Sequence, residues 1–202
     1  MANTDLRYRR TERFLLEAFG EALEKRALDK ITVTSLAAAA DINKATFYLH
    51  YRDIYDLAEA YAHAIAEERV AAMDYLEYYF DDPRKFAVYL VGDFESNKQE
   101  AMLLGKNGLM HYYLEAFTDA IHARLHELRS VPDDKRSSMM TTFVLNGVLS
   151  LLPRYGDDLT TMIEVAGEAM AAIDEYGRAH FEEQTNGGPA PQRAVAAKCQ
   201  PE

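Results

Sequence analysis

The stretch from Thr32 to Leu57, TVTSLAAAADINKATFYLHYRDIYDL, places a cation, a methyl and a hydroxyl in three consecutive residues, Lys44, Ala45 and Thr46, with Tyr48 and His50 a turn further on. This is chemistry suited to a nucleic-acid duplex. Lys44 can meet a phosphate or a base edge, and Ala45 and Thr46 can touch base edges or a thymine methyl. Such groups work only on a rigid support. Asn43 is a strong N-cap that opens a helix over Lys44–His50, with Phe47 as the inward anchor and its neighbours pointing outward. Before it, Thr32 caps a helix whose first turn is Val33, Thr34 and Ser35, and Leu36, Ala37 and Ala40 give that helix an apolar side. Asp41 and Ile42 form the turn between them. Two helices joined so tightly make a helix-turn-helix, whose second helix fits the major groove with its N-terminal residues at the base edges.

The string Thr46-Phe47-Tyr48-Leu49-His50-Tyr51, preceded by Ile31-Thr32-Val33 and Leu36-Ala37, resembles the end of the recognition helix in the tetracycline-repressor-like (TetR/AcrR) transcriptional regulators, and the match runs from about Arg10 to Tyr61. The resemblance implies DNA-binding positions at Thr32, Thr34, Lys44, Ala45, Thr46, Tyr48 and His50. Of these, Tyr48, His50, Thr32 and Thr34 correspond to phosphate contacts. It also implies a homodimer on a palindromic operator, with the last two helices of each chain pairing as a four-helix interface. Three positions depart from the family pattern. Asp41 stands where Gly is usual in the turn, a residue that tolerates left-handed backbone but adds negative charge near phosphates. Asn43 replaces a Ser cap, and Ile54 replaces a Lys that would meet phosphate.

A second constellation invites metal chemistry. His122 and His126 are four apart with Glu127 beside them, so one helix face presents two imidazoles, and a helical-bundle enzyme or metal protein is the alternative class. The pattern is incomplete. No glutamate lies between the histidines as in a zincin, no Glu-x-x-His pair is present as in di-iron bundles, and a surface coincidence is the better explanation of the spacing. His111 with Glu115 reads the same way. With no Gly-rich phosphate loop, no G-x-S-x-G and no cysteine nucleophile, the sequence offers enzyme chemistry no foothold, and no cofactor is expected.

The chain of 202 residues has a net charge of −11, which argues against nucleic acid until its distribution is considered. Residues 1–60 hold 9 Lys+Arg against 10 Asp+Glu, whereas residues 61–202 hold 13 against 23. The acidity therefore belongs to the C-terminal part. Arg7, Arg9, Arg10 and Arg13 cluster at the start, either as a DNA-reaching arm or as a merely solvated one. No run of about eighteen apolar residues and no apolar leader segment is present, so a cytoplasmic protein with no membrane partner is expected. Cys199, the one cysteine, lies in the tail and excludes an intrachain disulfide.

Hydrophobic periodicity predicts an all-α fold: an N-terminal three-helix helix-turn-helix domain over 1–60, joined by a shared long helix to a C-terminal helical bundle over 61–184, with a disordered tail over 185–202. The first helix is expected over Thr11–Ala27. A long helix capped by Asp53 should run unbroken to Asp81-Asp82-Pro83. Further helices are expected around Phe86–Leu90, over Ala101–Leu104 ending at Gly105, over Leu109–Leu128, from Pro132 to Leu152, and from Asp157 to about Phe181.

The C-terminal domain suggests two functions. Tyr89, Met102, Met110, Tyr113, Phe117, Met139 and Phe143 could line a pocket for a small apolar or aromatic effector, or could simply be core. Gly147, Leu151, Gly167 and Met170 mark the last two helices as a dimer interface. Mid-helix Gly costs about 1 kcal/mol relative to Ala, so Gly147 and Gly167 imply close helix approach, within the subunit or across a dimer.

Overall fold

The computed structural model describes residues 2–129 and 135–185; the helix start expected at Pro132, residues 186–202 of the expected tail and Cys199 lie outside the described residues. All regular structure among the described residues is helical. The N-terminal domain comprises α1 (Ala2–Lys25), a 3-10 turn over Leu28–Lys30, α2 (Val33–Ala39), α3 (Lys44–His50) and the first turns of α4 (Ile54–Ala72). Leu15 and Phe19 from α1, Leu36 from α2, Phe47 from α3 and Leu57 from α4 are fully buried together. α1 begins nine residues before the expected Thr11, because nothing from Ala2 onward, neither Pro nor Gly, stops the helix.

α4 leaves this domain and enters the bundle, where it packs along α8 (Met110–Arg129). It ends at Ala72, not at the expected Asp81. Met73, with backbone angles of φ −73° and ψ 115°, takes the chain out of the helix, and Met73, Tyr75 and Leu76 are all buried. Successive helical residues turn by about 100°, so a straight helix would point Met73 and Tyr75 to opposite sides; bending lets both reach the core. A single turn, α5 (Tyr78–Asp81), follows, and Asp82 caps α6 (Pro83–Ser96).

α7 (Lys98–Lys106) passes through Gly105 instead of ending there, and it stops at Asn107 and Gly108, whose φ of +73° is the left-handed conformation that glycine allows. α8 forms the centre of the bundle, covered on another side by α9 (Lys135–Leu149). The helix expected to reach Leu152 ends at Leu149. Pro153 has no N–H to continue the ladder and would clash with the carbonyl four residues back, so the chain breaks and restarts as α10 (Leu152–Tyr155) with Pro153 in its first turn. α11 (Leu159–Thr185) lies along α6, and Asp158 accepts a hydrogen bond from the Thr161 N–H at its start. No helix of the described residues is long and apolar enough to cross a membrane.

Candidate nucleic-acid interface

Local capping chemistry sets the geometry of the helix-turn-helix. Thr32 Oγ1 accepts from the Ser35 N–H at 3.2 Å while Ser35 Oγ accepts from the Thr32 N–H at 3.3 Å, so α2 starts with a reciprocal capping box. Asn43 Oδ1 accepts from the Thr46 N–H at 2.7 Å and from the Thr46 hydroxyl at 3.0 Å, which fixes the first turn of α3. Between them Asp41 adopts φ 53°, and the Ile42 N–H returns to the Ala37 carbonyl at 2.9 Å. Asp41 thus takes the left-handed conformation for which its short polar side chain is tolerated in place of glycine.

Phe47 is fully buried, and its neighbours are presented to solvent. Thr32, Thr34, Lys44 and Ala45 are exposed, Thr46 is half-buried, and Tyr48 is 58% exposed. Because the Thr46 hydroxyl hydrogen is committed to the cap, its methyl and lone pairs remain for a base edge. Leu49, 76% exposed, adds an open apolar side chain to the same helix. Ile54 packs against the core and provides no phosphate contact. Arg52 hydrogen-bonds Asp56 at 2.8 Å, holding that carboxyl below the usual carboxylate range, while the Arg52 side chain itself stays largely exposed.

His50 lies at the end of α3 beneath Tyr8 of α1, the rings stacked with centroids 4.0 Å apart at 25°. Burial pushes its pKa below the ordinary histidine value, against an upward pull from the Glu12 carboxylate, and its Nδ1 is buried without a hydrogen-bond partner. The arginines of the N-terminal cluster stand on α1 and not on an extended arm. Arg13 pairs with Glu17 at 3.6 Å, and both Arg10 and Arg13 approach the Phe14 ring.

Two contacts fix α7, one to the turn before α2 and one to the far end of α4. Asn107 Oδ1 accepts from the Leu28 N–H at 2.9 Å, while its Nδ2 donates to the Leu103 carbonyl. On α4, Arg69 is largely buried between Glu100 of α7 at 2.6 Å and Asp93 of α6 at 3.8 Å. Burial raises the Asp93 pKa, an effect that the Arg69 charge opposes. Beside them is an open cleft of about 550 Å³, walled by Phe94, Ala101, Met102, Met110, Leu114 and Leu149. Of the seven residues expected to form a pocket, this cleft contains Met102 and Met110. Tyr113 and Phe117 are buried in the core against Phe94, and Tyr89, Met139 and Phe143 face outward. Sequence periodicity marks apolar positions without saying which side of a helix remains uncovered.

The residues expected at a dimer interface also separate. A Cβ on Gly167 would lie 2.9 Å from Arg84 Cα, so this glycine permits close approach of α11 to α6 within the subunit, and Met170 is buried there too. Leu151 is half-buried at the start of α10. Gly147 opens onto free space on the outer side of α9, in line with the exposed Met139 and Phe143. His122 is 7% exposed, with Nε2 lacking a partner, and it borders a polar cleft with Asp119, His126 and Glu127. Among the described residues no three His, Cys, Asp or Glu side chains are placed to share a metal ion.

No protein-family model matches the sequence, and no curated protein is similar to it at the sequence level. The fold is similar to the crystal structure of the TetR family repressor AlkX from Dietzia sp. strain DQ12-45-1b, a protein implicated in biodegradation of n-alkanes. The two share 16% sequence identity with a TM-score of 0.54, over 82% of this chain and 94% of that one. Over the matched part, this chain has the all-α fold of a TetR family repressor.

Proposed function

We propose that the protein is a sequence-specific DNA-binding transcriptional regulator of the TetR type, a homodimeric repressor that acts in the cytoplasm without enzymatic activity and leaves its palindromic operator when a small apolar or aromatic effector binds. The observation that carries this reading is the doubly anchored α3. Its Asn43 cap and buried Phe47 leave Lys44, Ala45, Tyr48 and Leu49 exposed and Thr46 half-buried, which supports entry of this helix into a major groove.

Dimerisation through the outer faces of α9 and α11 would cover Met139, Phe143 and Val165, all exposed in the single chain, and would bring Gly147 to the contact. The effector would occupy the cleft walled by Met102 and Met110. α7 forms one side of that cleft and also holds Leu28 and Arg69, so an effector that favours another α7 position changes the spacing of the two recognition helices.

Selection of bound duplexes from a random-sequence pool, followed by salt titration of the winner, tests the reading. A palindromic winner whose affinity falls steeply with salt supports it; no enrichment over the starting pool refutes it.

A further inference from the structure

We propose that the first turns of α1, from Leu6 to Arg10, form a second DNA-contacting element, held by Tyr8 against the end of the recognition helix and meeting the phosphates that flank the groove α3 enters. The proposal rests on the DNA-binding reading above. The inner face of α1 carries Tyr8, Leu15 and Phe19 at i, i+7 and i+11. Leu15 and Phe19 are fully buried, whereas the helix beyond Thr11 leaves the core: Leu6 is 67% exposed, and Arg7, Arg9 and Arg10 are exposed. Tyr8 is the last inner-face residue, and its ring rests on His50. This end of α1 is therefore continuous with the proposed DNA face.

Arg7 and Arg10 have no acidic residue three or four positions away along α1. Arg7, Arg10 and Arg13 follow one another at i, i+3 and i+6, and like charges three or four apart destabilise a helix. Of the three, Arg13 has Glu17 at 3.6 Å. A polyanion beside this stripe removes the repulsion, and the duplex occupied by α3 is the nearest one that the molecule would meet. Arg7 precedes Tyr8 by one residue, so its Cα–Cβ bond leaves the helix about 100° from the face stacked on His50.

The experiment compares the selected operator trimmed to its palindromic core with the same duplex carrying roughly half a DNA turn of flanking sequence on each side. The proteins are the full chain, the double variant Arg7→Ala/Arg10→Ala, Tyr8→Ala, Tyr8→Phe and Tyr48→Ala. On the flanked duplex the double variant should bind several-fold more weakly at low salt, and its slope of log affinity against log salt should fall by about 2, one per lost phosphate contact. On the trimmed duplex it should match the parent, and its melting temperature should be unchanged. Tyr8→Ala should share the flank-dependent loss, whereas Tyr8→Phe, which keeps the stack, should bind as the parent. An unchanged slope for the double variant, while Tyr48→Ala loses binding, overturns the proposal. Equal losses in Tyr8→Phe and Tyr8→Ala overturn the stacking role, and parental binding by Tyr48→Ala means that the DNA-binding reading has failed.

Discussion

The side chain of Asn107 accepts a hydrogen bond from the backbone N–H of Leu28 across 79 residues of sequence, joining the end of α7 to the connection that leads into the helix-turn-helix. Asn107→Ala leaves a partly buried N–H without its acceptor, which should cost about 1 to 3 kcal/mol. Asn107→Asp keeps an oxygen there and should cost less. Amide hydrogen exchange at Leu28 provides the check: exchange faster in Asn107→Ala than in the parent is expected, and an unchanged rate would show that the contact does not constrain the domain.

Arg69 neutralises two carboxylates from different helices at the point where α4 crosses the bundle. Arg69→Met should destabilise the fold by about 1 to 3 kcal/mol, since Glu100 and Asp93 are left half-buried without their cation. The pH dependence has a definite sign. Burial already raises the Asp93 pKa above its unfolded value, and removing Arg69 raises it further. The folded variant then binds a proton more tightly than the unfolded chain. Its stability should consequently recover as pH falls from 7 through the raised value, measured as the difference in melting temperature from the parent. A difference that stays constant with pH would contradict the assignment.

How much of this was legible in the sequence depended on the range of the forces involved. Thr32, Asn43 and Asp53 were readable as caps because an N-cap bonds to residues two or three positions ahead, and Phe47 was readable because one large apolar residue in a short polar helix must turn inward. The end of α4 was not readable. Nothing between Ala72 and Asp81 breaks a helix locally, and the bend follows from burying Met73 and Tyr75 together. Gly167 reads as half of an interface, and Asn107 gives no sign of its tertiary role, because their partners Arg84 and Leu28 are distant in sequence. The stack of Tyr8 on His50 is hidden in the sequence for the same reason.

The two glycines should now behave differently. Gly167→Ala places a Cβ 2.9 Å from Arg84 Cα and should lower subunit stability by about 1 to 3 kcal/mol. Gly147→Leu enters open space and removes a glycine from inside α9, so it should raise the melting temperature of dilute protein slightly while altering the dimer dissociation constant. Sedimentation equilibrium decides this. A dimer constant equal to the parent's would remove α9 from the interface.

On the proposed DNA-binding reading, His50 should give the complex a pH dependence of definite sign. Burial beneath Tyr8 keeps its pKa below the ordinary value of about 6.5 in the free protein, and a phosphate beside the ring favours the imidazolium. Binding therefore takes up a proton. Operator affinity should rise as pH is lowered from 8 to 6, and His50→Gln should flatten that rise; a parental affinity independent of pH would place His50 away from phosphate.

The central claim, that α3 reads DNA, is tested most directly by operator affinity at matched salt for the parent and for Lys44→Ala, Thr46→Val and Tyr48→Ala. Tyr48→Ala should weaken all duplexes about equally. Thr46→Val should change which sequence is preferred, by about 1 to 3 kcal/mol at the affected base pair. Lys44→Ala should lower affinity and reduce the salt slope by about 1 if it meets a phosphate. Parental affinity and sequence preference in all three variants would contradict the account.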